Sequence, residues 1–262
     1  MRRTMTTAML AMAFAGPALA GEGGDIMIYD NGSGGLNFGL YDFDGGTGVV
    51  LEVGPVDIVE AELENNWEGT GSPGTDEPGW ATDGSAPLDP STPLIEYPFP
   101  ANTALNVTAN VLPVLGGNAA YWDGTGPVNF TTTMPNGIEV EDGFSSLLLD
   151  GSATAPAGSL SPWTSGPGGT AHDHLEFILD APDASAATGV YLISLSASAG
   201  SLDQTQPLYF LFGYAGADFT DQEIEEAIES AEGYVETTII PEPASATLLA
   251  LAGLALARRR RA

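Results

Sequence analysis

The chain has 262 residues, no cysteine, 35 acidic and six basic residues, and a formal charge of −29 at pH 7. The basic residues are arginines at the two ends, while every acidic residue except Glu242 lies between Gly21 and Ile240, where average usage would also place roughly 25 Lys and Arg. Such a body repels nucleic-acid phosphates and anionic lipid, is expected to hold no internal salt bridge and no disulfide, and favours bound cations or high ionic strength.

Residues 1–20 read as a secretory signal peptide. Arg2 and Arg3 supply the positive start and Ala8 to Ala15 the apolar centre. Ala18-Leu19-Ala20 is the small-residue cleavage site before Gly21. Export by the general secretion machinery is the expectation, with 21–238 as one acidic domain large enough for one good-sized core or two small ones.

That domain reads as all-β. In Ala104 to Leu112, Leu105, Val107, Ala109 and Val111 alternate with Asn106, Thr108 and Asn110, the period of a strand with one buried face. Comparable runs are Ile26–Tyr29, Leu36–Tyr41, Gly48–Val53, Val56–Leu63, Val128–Thr133, Ile138–Glu141, Phe144–Leu149, Leu175–Leu179, Val190–Ser196 and Leu208–Tyr214. Turn clusters such as Asp30-Asn31-Gly32 and Pro135-Asn136-Gly137 separate them. Short strands between Gly- and Pro-rich turns predict an antiparallel β-sandwich or jelly roll.

Two stretches interrupt the rhythm. Asn65 to Pro93 carries Trp67 and Trp80, and Ala153 to Thr170 carries Trp163; both read as long loops, partly packed by their tryptophans. A C-terminal amphipathic helix is predicted over about 220–232. Thr220 and Glu223 form its capping box, Ile224, Ala227, Ile228 and Ala231 its apolar stripe, and Gly233 its C-terminal cap. Its other face is carboxylate.

The only histidines, His172 and His174, stand in Ala171-His172-Asp173-His174-Leu175-Glu176-Phe177. On one continuous strand His172, His174 and Glu176 share a face, and two imidazoles at this spacing can converge on a transition metal such as zinc, with Glu176 or a loop carboxylate as third ligand. An exposed, solvated strand start is the alternative. Calcium is a second candidate: Asp42-Phe43-Asp44-Gly45 and Asp30-Asn31-Gly32 place oxygens in turns, although neither completes an EF-hand loop.

An enzyme is not expected. The body lacks Lys, Arg and Cys, which removes the Schiff base, the thiolate and the cationic oxyanion clamp, and it holds no nucleophile elbow, phosphate loop or dinucleotide fingerprint. A carboxylate pair acting on a glycosidic bond stays open, with tryptophans available to meet a polysaccharide.

The tail, 239–262, has three parts in order. Pro241-Glu242-Pro243 stops any incoming element, Ala244 to Ala257 is an uncharged helix-forming run, and Arg258, Arg259, Arg260 and Arg261 hold the end in the cytoplasm. The run is shorter than the roughly 20 residues of a stable span, which suits an address that is read and removed. This order resembles the PEP-CTERM sorting signal of bacterial surface proteins. The resemblance implies recognition of Pro241, Glu242 and Pro243 by a membrane-embedded exosortase, transient residence in the inner membrane, and release to the cell envelope, surface or extracellular matrix. Asp76-Glu77-Pro78-Gly79-Trp80, Tyr121-Trp122-Asp123-Gly124, the H-x-H and Gly189-Val190-Tyr191-Leu192 resemble a group of exported bacterial proteins with the same tail. H-x-H followed by G-x-Y is similar to β-sandwich modules of surface-anchored proteins, some linked to metal supply. The expected role is therefore structural or cation-binding, with a divalent-metal protein built on His172 and His174, or a glycan-binding or glycan-cleaving module, as alternatives.

Overall fold

The structure, a computed structural model, describes residues 24–30, 32–42, 49–53, 58–82 and 99–240. The expected signal peptide, the turn around Asp44, and the tail with Pro241, Glu242, Pro243 and Arg258 to Arg261 lie outside them. Among the described residues no helix is long and apolar enough to cross a membrane.

The first strands are β1 (Gly24–Asp30), β2 (Leu36–Asp42), β3 (Val49–Val53), β4 (Ile58–Glu62), β5 (Gly74–Thr75), β6 (Gly79–Thr82) and β7 (Leu105–Ala109). There follow β8 (Ala119–Trp122), β9 (Ile138–Glu141), β10 (Ser146–Leu149), β11 (Ala171–His174), β12 (Glu176–Leu179), β13 (Gly189–Ala199), β14 (Leu208–Tyr214) and helix α1 (Asp221–Tyr234). They form three sheets, ordered β11-β6-β1-β2-β3, β10-β9-β12-β5 and β4-β14-β13-β7, with β8 also on β13. The fold is mostly β, as the alternating pattern predicts. Pairing is not purely antiparallel, because β1 runs parallel to β6 and β4 to β14.

The third sheet carries most of the burial. On β13 and β14, Tyr191, Ile193, Leu195, Phe210 and Phe212 face one core, while Val190, Leu192, Tyr209 and Leu211 face a second one under α1. The first core reaches both other sheets. Trp80 of β6 stacks on Phe210 with centroids 6.0 Å apart, and Phe177 of β12 lies 4.7 Å from Phe212. Helix α1 has the capping box between Thr220 and Glu223 and buries Ile224, Ala227, Ile228 and Ala231, as its periodicity predicts. Each such isoleucine contributes about 1.5–3 kcal/mol. The helix sits this close because β14 offers Gly213: a Cβ there would meet Ile228 Cδ1 at 2.6 Å and Ile224 Cγ1 at 2.8 Å.

Several expectations are corrected. Gly233 does not end the helix, which runs to Tyr234 and into a π-helical turn over Val235–Ile239. Val128–Thr133 is not a strand; it makes one isolated bridge, Thr131 to Tyr121, while Phe130 fills the second core. Trp80 belongs to no loop. It is fully buried in β6, and Trp122 and Trp163 are buried as well, so three of the four tryptophans are unavailable as a sugar platform.

Candidate metal centre

The segments 74–82 and 171–179 run antiparallel to each other and both change sheets, the first from the second sheet to the first and the other from the first to the second. At one end β5 pairs with β12, Thr75 opposite Phe177; at the other β6 pairs with β11, Gly79 opposite His174. Three residues, Asp76, Glu77 and Pro78, therefore oppose two, Leu175 and Glu176, the arithmetic of a bulge that re-aims side chains. Leu175, wholly buried, holds the corner in the core. The change of sheet at Leu175 separates the expected ligand set. Glu176 leaves with β12 and pairs opposite Glu141, whose carboxyl it helps to raise after burial and Glu139.

What joins the histidines comes from β1. That strand lies parallel to β6 with Ile26 opposite Trp80, so Asp25 falls beside Gly79, on the face away from Trp80. His172 Nε2 is 3.1 Å from Asp25 Oδ2, and the two imidazole rings meet edge to face with centroids 4.9 Å apart. One donor atom from each of Asp25, His172 and His174 lies within 4.8 Å of the others. A second group of the same tightness, Asp76, Glu77 and His174, shares one histidine with the first.

Gly79 is the floor of the arrangement. A Cβ at that position would fall against Asp25 Oδ1 and within 2.9 Å of His174 Nε2, so only glycine leaves room for the carboxylate and the ring together. His174 Nδ1 lies 2.9 Å from the carbonyl oxygen of Asp76. A carbonyl only accepts, so Nδ1 carries the hydrogen and the lone pair of the neutral ring stays on Nε2, which points over Gly79 toward Asp25. A backbone acceptor behind an imidazole is the arrangement that orients a metal-bound histidine.

Electrostatics agree with the geometry. Burial pushes the Asp25 carboxyl up, while His172, His174 and the Gly79 amide draw it back. Burial raises the Glu77 carboxyl too, with the charge of Asp25 adding to it. The expectation of a body without salt bridges is corrected here: His172 with Asp25, and His174 with Asp76 at 3.7 Å, form ion pairs when protonated. No protein-family model matches the chain, and neither does any curated protein or solved structure. Its own residues carry the functional reading.

Two imidazole nitrogens and a nearly buried carboxylate oxygen suit a late first-row divalent ion. The structure brings His172 and His174 together and leaves Glu176 apart. Asp25 escaped the sequence reading because it lies far along the chain; its one signal is a lone carboxylate opening the apolar strand Asp25-Ile26-Met27-Ile28-Tyr29. Asp76 and Glu77 stand in a motif noted for its resemblance and not for ligation. The calcium candidate at Asp30 spends one carboxylate oxygen on its own turn, accepting from Gly32 N at 2.7 Å.

Proposed function

We propose that this is an exported cell-envelope protein whose body, a β-sandwich with α1 on its outer face, binds one divalent transition-metal ion through Asp25, His172 and His174. The observation that carries the reading is the convergence of the only two histidines on a carboxylate from a distant strand, with Asp76 O holding His174 in the tautomer that offers Nε2. Packing of Trp80 and Phe177, from two sheets, against Phe210 and Phe212 of the third supports the sandwich. Titration of the full chain with Zn²⁺ tests the ion. Stoichiometric binding in the wild type that disappears in His172→Ala and Asp25→Asn is the expected result, and absence of saturable heat in the wild type overturns the reading.

Delivery rests on the two ends. A signal peptide at 1–20 and the resemblance of 239–262 to the PEP-CTERM signal support passage through the secretion machinery, transient residence in the inner membrane through 244–257, and processing by an exosortase. Cell fractionation with sequencing of the mature C-terminus tests it. A chain that stays in the cytosol with Arg261 and Ala262 still attached refutes it.

A further inference from the structure

Two further carboxylates, Asp76 and Glu77, stand beside His174. Glu77 stands on the connection from β5 to β6, two residues before Gly79. The charged group acting on it most strongly is Asp25, ahead of His174 and its own neighbour Asp76. The Gly79 amide lowers both the Asp25 and the Glu77 carboxyl, so both carboxylates lie near one N–H. A Glu77 carboxylate oxygen also lies within 4.8 Å of a ring nitrogen of His174 and of an Asp76 oxygen. Glu77 is exposed as a residue although its carboxyl is partly desolvated, so it can swing toward the histidines without unpacking the core.

Charge balance gives the second argument. A divalent ion held by two neutral imidazoles and Asp25 alone keeps one net positive charge in a corner where Asp25 is almost buried. A second carboxylate cancels it and removes most of the penalty for holding net charge away from water.

We propose that Glu77 is the fourth protein ligand, closing Asp25, His172 and His174 into a tetrahedral sphere of two nitrogens and two oxygens that selects a zinc-like ion and leaves no position for substrate. This rests on the metal reading above and extends it from binding to role. A closed four-coordinate centre is structural. Its ligands lie on β1, on the β5–β6 connection and on β11, so the ion ties together the two segments that change sheets and the strand beside them. Asp76 contributes its carbonyl as the positioning group of His174.

Co²⁺ replaces zinc in such centres and reports coordination number through the intensity of its visible absorption, so the test uses the full chain titrated with Co²⁺ alone. The wild type is expected to bind one equivalent with the intense band of a tetrahedral ion. Glu77→Gln should convert that band to the weak one of a higher-coordinate ion and lower affinity at least about tenfold, in the range by which metal sites respond to lost partners. Glu77→His, which supplies another donor, should restore the intense band at a shifted wavelength, a rescue that a merely structural role would not give. Glu176→Gln should match the wild type. An unchanged band and affinity in Glu77→Gln overturns the fourth-ligand assignment and leaves the three-residue site standing. A wild type that binds neither Co²⁺ nor Zn²⁺ overturns both.

Discussion

Asp25 and Glu60 are both carboxylates pushed upward by burial, and they differ in what stands around them. Beside Asp25 are two imidazoles and a backbone amide that draw its proton off. Beside Glu60, on β4, the charged groups among the described residues are Glu232, Glu229 and Glu225 of α1, which reinforce burial and lift its carboxyl to about 7. One Glu60 oxygen is buried without a hydrogen-bond partner. The same desolvation thus accompanies a candidate cation site at one place and a seam weakened by rising pH at the other. In a body without Lys or Arg, histidine position alone separates the two outcomes.

The largest effect that would break this comparison is loss of the imidazoles. Replacing both His172 and His174 by Ala should weaken Zn²⁺ binding by more than about 100-fold, beyond the 10–100-fold usual for orienting partners, as read by competition with a chromophoric chelator. If Zn²⁺ affinity survives, the acidic surface alone is binding the ion and the contrast with Glu60 collapses.

Gly79→Ala sharpens the same point without touching a ligand. Its methyl occupies the space of the Asp25 carboxylate and the His174 ring, and should cost about 1–3 kcal/mol of stability together with most of the metal affinity. Thermal melts with and without Zn²⁺ measure both. A variant that keeps wild-type affinity would mean the floor of the site has been misplaced.

At the other site the sign reverses. Glu60 is protonated more readily in the fold than at its ordinary value of 4.5. Its contribution is therefore complete below about pH 4.5 and is lost as pH rises through about 7. Glu60→Gln removes the ionisation, so it should be more stable than wild type by about 1–2 kcal/mol at pH 8, after allowance for partial exposure, and indistinguishable at pH 4.5. Denaturant melts at the two pH values check this; equal gains at both would remove the electrostatic explanation.

The smallest effect is expected at the helix start. Thr220→Ala removes the acceptor for Glu223 N and should lower stability by about 1 kcal/mol without changing metal affinity. A change in Zn²⁺ binding in this variant would show that helix and metal corner are coupled through the third sheet.

Local pattern carried far in this chain. Alternation in Leu105 to Ala109 predicts the buried and half-buried faces of β7 residue by residue, and the T-x-x-E box with the Ile/Ala stripe predicts α1. Such features involve only neighbours in the chain, and their physics is complete within a few residues. Where β8 already occupies β13 and offers only four residues, the alternating stretch Val128–Thr133 finds a single bridge and no ladder. Phe144, expected to begin a strand, lies at the exposed hairpin tip instead, its amide held by Asp142 at 2.9 Å.

By itself, the order of residues settled that the body is acidic and without Lys or Arg, that it is mostly β, that one capped helix follows its last strand, and that its two histidines share one face two residues apart. Only the tertiary arrangement decided which carboxylate they meet. Glu176 is two residues from His174 yet passes into another sheet at Leu175, while Asp25, remote in the chain, arrives beside Gly79 through a parallel pairing. Strand period constrains the direction of a side chain along one segment; which segments lie side by side depends on burying Trp80, Phe177 and Phe210 together, a long-range balance that no local pattern records.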